Sequence, residues 1–140
     1  MKNTIKNIFS RYPEIIAAYL FGSLAAGRGR RGSDADIAVL LDVDTASEKA
    51  MSIRLQLMAE LEGFYERDAE VIVLNDASLF FISEVFRGKV VYDKDPVKRA
   101  GFESIKRREY FDFAYYLKQY RKAFLERIKT KGLSEAYGGR

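Results

Sequence analysis

The sequence predicts an α/β (α+β) fold in which a small β-sheet of about four strands is flanked by helices and followed by a long C-terminal helix. Short apolar runs that suit buried strands alternate with segments of helical periodicity over the first two thirds of the chain. From Pro96 to Lys131, apolar residues recur at helical spacing with few helix breakers. The 140 residues suffice for one compact domain. We therefore expect a single domain at residues 1–131, with its core at about 13–93 and its last helix at about 96–131.

Each element follows from a local pattern. An opening helix carries Ile5, Ile8 and Phe9 on one face and ends before Pro13, because the residue preceding a proline is disfavoured in the helical conformation. The predicted strands are residues 16–21, 35–41, 69–74 and 89–92. The other predicted helices are residues 24–26, a helix that Ser47 caps and Gly63 ends, residues 79–86, and the long helix 96–131. Residues 132–140 contain three glycines and are predicted to form a flexible tail.

The composition excludes several kinds of chemistry. The chain has no cysteine and no histidine. Disulfides, thiolate nucleophiles, Ser-His-Asp triads and metal sites built from cysteine or histidine are therefore excluded. What remains for catalysis is carboxylates, hydroxyl groups, lysines and a bound metal ion.

Nothing in the sequence indicates a membrane protein. The first residues are polar and lack the apolar centre of a signal peptide, and no apolar run approaches the roughly 20 residues that cross a bilayer. We expect a cytoplasmic protein with no membrane partner.

A glycine and a serine come directly after the first predicted strand, at Gly22 and Ser23. Glycine lets a phosphate group approach the backbone closely, while backbone N–H groups and the serine hydroxyl can donate hydrogen bonds to phosphate oxygens. Alone, the pair is more typical of an ordinary turn. A phosphate-binding role therefore needs support from other residues.

Two carboxylates, Asp34 and Asp36, lie at the start of the second predicted strand. Residues two apart on a strand point to the same face, so both carboxylates emerge side by side. Their repulsion is relieved by a divalent cation, and hard oxygen ligands favour Mg²⁺ or Mn²⁺, which also bind triphosphates. The structural alternative makes Asp34 a turn residue and Asp36 an exposed strand position. It explains Asp36 poorly, because the apolar residues 37–41 suggest burial on both faces of the strand.

Gly22-Ser23, ten further residues, and then Asp34-Ala35-Asp36 together form a more specific pattern. With Arg28 in the intervening loop, it resembles the minimal nucleotidyltransferase (MNT) branch of the DNA polymerase beta superfamily. The resemblance implies a small mixed sheet that carries the motif on its first two strands. It also implies that Gly22, Ser23 and Arg28 bind the triphosphate of ATP and that Asp34 and Asp36 bind Mg²⁺ or Mn²⁺.

The resemblance also implies a third carboxylate on a neighbouring strand, which binds metal and acts as general base. Aligning the end of the third predicted strand with the family pattern assigns this role to Glu70, where aspartate is more typical. Asp68 lies two residues earlier on the same face and is the alternative. We prefer Glu70 because it lies deeper in the apolar run.

The last helix combines a wide aromatic stripe with basic residues. Residues 94–140 carry a net charge of +7 against −3 for residues 1–93. The stripe is too wide for one buried face, and tyrosine with arginine is typical of protein interfaces, so we expect part of this helix to bind a protein. Nucleic-acid binding is less favoured because no dedicated motif accompanies the charge.

The predicted reaction is transfer of AMP from ATP to an acceptor hydroxyl. MNT proteins resembling this one act beside HEPN-domain toxins as antitoxins that adenylylate a toxin tyrosine, which implies a HEPN-domain partner and a hetero-oligomer; a homo-oligomer stays open. One alternative is a non-catalytic antitoxin that occludes its partner. Another is an aminoglycoside-type adenylyltransferase, although those enzymes usually carry a larger acceptor-binding domain.

Overall fold

A computed structural model of the chain describes residues 4–27 and 33–132. The helices are α1 (Ile5–Ser10), α2 (Gly22–Ala25), α3 (Ser47–Tyr65), α4 (Leu79–Phe86) and α5 (Pro96–Lys131). The strands are β1 (Ile15–Phe21), β2 (Ala35–Leu41), β3 (Ala69–Val73) and β4 (Lys89–Asp93), and a short 3₁₀ turn at Leu74–Asp76 comes after β3. The predicted tail at residues 133–140 lies outside the described residues.

The four strands form one mixed sheet in the order β3-β2-β1-β4. Strand β1 pairs antiparallel with β2 and β4, whereas β2 and β3 are parallel. The predicted fold class is therefore confirmed, including the mixed sheet and the long C-terminal helix.

Apolar side chains cover both faces of the central strands. On one face, α1 and α3 pack against the sheet in a cluster that includes Phe9, Ile37 and Leu57. On the other face, Leu40 belongs to a second cluster to which α4 contributes Ile82. Residues 37–41 of β2 are all buried, as the sequence predicts.

Several boundary predictions were wrong by one or two residues. Ser47 is the first residue of α3 and Ala46 holds the cap position without a side-chain hydrogen bond; Glu48 instead places a favourable negative charge in the first turn. The helix continues past Gly63 to Tyr65, and Glu66 ends it in the left-handed conformation. Strand β3 stops before Leu74, and the residue after Leu74 pairs with β2 through its side chain.

That residue is Asn75. Its Oδ1 accepts a hydrogen bond from the Leu41 N–H at 3.0 Å, and its Nδ2 donates to the Leu41 carbonyl at 2.8 Å. The amide group thus satisfies both backbone polar groups at the end of β2, as another strand would.

A hydrogen-bonded network joins the start of α5 to the sheet. The buried hydroxyl of Tyr19 donates to Glu103 Oε2 at 2.7 Å, and Arg99 donates to Glu103 at 2.9 Å and to Asp93 at 2.8 Å. Burial, with the hydrogen bond to Glu103 second, raises the pKa of Tyr19. These contacts fix the first turns of α5 against β1 and β4.

The chain divides into two compact units, one ending at Lys106 and the other beginning at Arg107. The described part of the second unit is the remainder of α5 with Gly132. The single domain expected at residues 1–131 stays a prediction. None of the helices in the described ranges is long and apolar enough to cross a membrane.

Replacing Glu103 with alanine should destabilise the fold, because it leaves the Tyr19 hydroxyl and one Arg99 donor without their shared acceptor. We expect a loss of about 2 kcal/mol in the free energy of unfolding, measured by urea denaturation. Glu84→Ala is the matched control, since Glu84 forms an exposed ion pair with Arg87, and it should change stability by less than about 0.5 kcal/mol. Equal effects of the two substitutions would contradict the role assigned to the network.

Candidate active site

The strand register brings the glycine–serine pair beside the second aspartate. Phe21, the last residue of β1, pairs with Asp36 near the start of β2. Gly22 and Ser23 come directly after Phe21 and form the beginning of the one-turn helix α2. Residues that are far apart in the sequence therefore meet at one end of the sheet.

Two features of the geometry favour glycine at position 22. Its φ of +76° lies in the left-handed region that side chains disfavour. A Cβ atom at this position would lie 2.3 Å from Asp36 Oδ2, so the carboxylate would have to turn away from the backbone. The glycine thus lets the Asp36 carboxylate lie directly against the backbone that leads to Ser23.

Glu70 lies on β3, which pairs with β2 along the edge opposite β1. Glu70 and Asp36 are partners in the parallel register of β2 and β3, so their side chains leave the same face of the sheet. Asp68 precedes β3, is exposed, and contributes its backbone carbonyl to a 2.8 Å hydrogen bond from the Ala35 N–H. Of the two candidates for the third carboxylate, Glu70 is therefore the one that lies beside Asp36. Asp68 contacts β2 only through its backbone carbonyl in the hydrogen bonds described here.

The three carboxylates interact electrostatically. Burial of the Asp36 carboxyl, and then the negative charges of Asp34 and Glu70, raise its pKa above the ordinary value of 3.8. Asp34 is exposed and Asp36 is half-buried. The ionised form of Asp36 is therefore disfavoured in the folded protein, and a cation between these side chains would relieve that cost.

An arginine that sequence reasoning missed lies beside Glu70. Arg54 on α3 donates from Nε to the Val71 carbonyl at 2.7 Å, and its Nη2 lies 3.7 Å from Glu70 Oε2. Because β3 is an edge strand, its outer backbone groups have no neighbouring strand to pair with. The Arg54 side chain hydrogen-bonds to one of these groups, the Val71 carbonyl, and also faces the Glu70 carboxylate. On a helix of mixed polarity nothing in the sequence distinguishes Arg54 from its solvent-exposed neighbours.

A second missed arginine ties the loop to the sheet. Arg67 Nη1 donates to the carbonyl of Ser33 at 3.1 Å, one residue before Asp34. The chain is thereby held in place as it enters the acidic pair. Arg28, predicted to bind phosphate, lies outside the described residues.

The donor set suits a hard divalent cation, with two spatially adjacent aspartates and a glutamate whose charges already repel one another. Within residues 4–27 and 33–132, however, no three acidic side chains lie close enough to form a ready-made metal site. Asp34, Asp36 and Glu70 are the side chains that would hold such a cation.

One family model covers most of the chain. The family described as "Polymerase beta, Nucleotidyltransferase" matches residues 3–97, more than half of the chain. A search of curated proteins gives no match.

Several solved structures share the fold. A chain from a crystal structure described as a toxin-antitoxin with AMP-PNP has a TM-score of 0.60 and 22% identity, over 91% of this chain and 100% of that one. A chain from a structure of the toxin-antitoxin MntA-HepT has a TM-score of 0.53 and 22% identity, and the match covers 88% of this chain and 91% of that one. A third comes from a complex of a tri-AMPylated Shewanella oneidensis HEPN toxin with an MNT antitoxin, with a TM-score of 0.53 and 21% identity over 87% and 89%.

Gly22→Ala should destabilise the protein, because the added methyl group meets the Asp36 carboxylate and the backbone is held at positive φ. We expect a loss of about 1–3 kcal/mol in unfolding free energy. Gly63→Ala is the control: a Cβ there meets nothing within 4 Å, and in the last turns of α3 it should stabilise by about 0.5–1 kcal/mol. A neutral Gly22→Ala variant would refute the close contact.

Asp36→Asn should stabilise the protein at pH 7, because it removes a charge whose ionisation the folded state disfavours. The gain should be on the order of 1 kcal/mol or less, measured by thermal unfolding without divalent metal. Because the folded-state pKa is raised, the gain should shrink as the pH falls through that pKa and vanish below 3.8, where Asp36 is neutral in both states. Asp44→Asn, at an exposed aspartate beyond the other end of β2, should show no such gain. A destabilised Asp36→Asn variant would contradict the charge repulsion.

Proposed function

We propose that this chain, which belongs to the polymerase beta nucleotidyltransferase family, transfers AMP from ATP to an acceptor hydroxyl in a reaction that requires Mg²⁺ or Mn²⁺. The observation that carries the proposal is the pairing of Asp36 with both Phe21 and Glu70. This register places the glycine–serine turn and the carboxylates at one end of the sheet.

In the proposed reaction, the acceptor oxygen attacks the α-phosphorus of ATP. An oxygen–phosphorus bond forms to the acceptor, and the bond from the α-phosphorus to the bridging oxygen breaks. Pyrophosphate leaves with the electron pair of that bond, and the acceptor proton passes to Glu70. The products are an adenylylated acceptor and pyrophosphate.

Each residue of the site has a proposed role. Ser23 and the backbone at Gly22 hold the triphosphate, and the fixed geometry at Gly22 keeps them beside Asp36. The metal would be held by Asp34, Asp36 and Glu70. When bound, it would neutralise negative charge on the phosphates. Arg28 would bind the phosphates from the loop.

We further propose that the acceptor is a tyrosine of a HEPN-domain toxin and that the chain acts as a cytoplasmic antitoxin. This rests on the resemblance of the motif to MNT proteins and on the three structural relatives, which are described as toxin–antitoxin complexes, one with an AMPylated HEPN toxin. These relatives are only 21–22% identical to this chain, so they support its fold and leave the acceptor as a proposal.

A specific observation favours a second candidate, a non-catalytic antitoxin that occludes its partner. The described acidic residues do not form a ready-made metal site, and Glu70 faces Arg54 at 3.7 Å. If that ion pair persisted when nucleotide binds, the third carboxylate would not reach the metal.

Label transfer from [α-³²P]ATP to the proposed HEPN-domain partner separates the two candidates. We expect transfer that EDTA abolishes and that falls at least ~100-fold in Asp36→Asn, because the metal loses a ligand. Glu70→Gln should also lower the rate, whereas Glu62→Gln, at an exposed glutamate on α3, should not. Absence of transfer by the wild type, together with a tight complex that Asp36→Asn leaves intact, would contradict the enzyme and support occlusion.

A further inference from the structure

The last part of α5, residues 107–131 and here called the distal helix, exposes many large apolar side chains. None of the residues of α5 is buried. Phe111, Tyr115, Tyr116, Tyr120 and Leu125 are each at least half exposed, from 50% to 71%. A helix of this kind gains little stability from burial of an apolar face, although packing supplies most of the stability of helices in proteins.

The exposed apolar side chains occupy two opposite faces of the distal helix. At about 100° per residue, Tyr115 and Leu125 lie within about 40° of Phe111, whereas Tyr116 and Tyr120 lie about 140° and 180° away. A flat partner surface would cover only one of these faces. A groove whose two walls both contact the helix would cover both faces.

The distal helix is strongly basic. It carries eight lysines and arginines against three acidic residues, a net charge of +5, while residues 1–106 sum to −1. Lys118 and Lys122 lie on the same face as Phe111, since they are seven and eleven residues further along. If this helix paired with a second copy of itself, two segments of net charge +5 would repel each other. The charge therefore favours an acidic partner.

We propose that the distal helix docks into an apolar groove of a partner protein whose rim carries carboxylates. The aromatic side chains fill the groove, and the lysines between them pair with the acidic rim. The identity of that partner as the HEPN-domain protein rests on the proposed function, whereas the docking segment and its chemistry follow from the helix itself.

Two other classes of partner fit the distal helix less well. A helix that lies on a membrane concentrates its apolar residues on one face and its charges on the other, and here apolar residues lie on opposite faces. A nucleic acid would pair with the lysines and stack on the aromatic rings, but no dedicated nucleic-acid-binding motif accompanies these residues. A protein groove accommodates both the apolar faces and the charge.

Calorimetric titration of the full-length chain with the HEPN-domain protein tests the docking surface. We expect Phe111→Ser with Tyr115→Ser to raise the dissociation constant at least 10-fold. Val43→Ser, at a residue that is 87% exposed in the other unit, is the matched apolar control and should bind as the wild type does. Circular dichroism checks that the helix is retained.

A charge variant keeps the proposal falsifiable if the serine variant unfolds. Lys118→Gln with Lys122→Gln retains good helix formers and should weaken binding several-fold at low salt, with a smaller loss of affinity as salt is raised. Lys49→Gln on α3 is its control. Unchanged affinity in both distal-helix variants would overturn the proposal.

Further outcomes identify a different occupant. A wild-type dimer in sedimentation that Phe111→Ser with Tyr115→Ser dissociates would overturn the proposal in favour of self-association. Lysine-dependent binding at 150 mM salt to vesicles of phosphatidylcholine and phosphatidylserine, or to a labelled 20-nucleotide RNA, would overturn it in favour of those partners.

Comparing site variants with distal-helix variants separates docking from AMP transfer. Asp36→Asn should keep the complex while losing AMP transfer, and the distal-helix variants should lose the complex while keeping thermal stabilisation by Mg²⁺ and ATP. A complex that forms normally without transfer contradicts the enzyme alone, and transfer without dependence on the distal helix contradicts the docking surface alone.

Discussion

The pairing of β2 with both of its neighbours is the constraint on which the rest of the structure depends. Strand β2 pairs on one side with β1, which leads into Gly22 and Ser23, and on the other side with β3, which carries Glu70. Among the described strands, β2 alone has residues of the candidate site on or directly after both of its neighbours. Because side chains alternate along a strand, a shift of one residue in this register would turn Asp36 toward the opposite face and Ile37 toward the site. The buried residues 37–41 oppose such a shift, since each has a place in one of the two apolar clusters. The core therefore fixes the position of the carboxylates.

The carboxylates of the candidate site carry an electrostatic cost, because burial and the neighbouring negative charges disfavour the ionised form of Asp36. Gly22 at positive φ lies against Asp36, and three negative side chains lie near one another. These features persist because surrounding contacts determine the local backbone: Arg67 holds the chain before Asp34, and Asn75 completes the far end of β2. Such a balance is typical of sites where ligand binding, and not folding alone, has set the residues.

Much of this architecture was predictable from the sequence, because it depends on local patterns. Strand β2 and helix α5 have the predicted boundaries, since an apolar run and a helical period are properties of neighbouring residues. The Ser47 cap was wrong by one residue. The end of β3 was also wrong by one residue, because it depends on the contact of Asn75 with Leu41, which is distant in the sequence. Arg54 and Arg67 could not be identified for the same reason. Their roles arise from a strand edge and a loop carbonyl that only the folded chain brings to them.

In the proposed mechanism, Asp34 and Asp36 would bind a metal ion beside the triphosphate that Gly22 and Ser23 would hold. Anomalous diffraction from crystals grown with Mn²⁺ and a non-hydrolysable ATP analogue tests it most directly. We predict an Mn²⁺ peak coordinated by both aspartates, with the triphosphate against the backbone of Gly22 and Ser23. Nucleotide bound elsewhere, or an Mn²⁺ peak that does not contact Asp36, would contradict it.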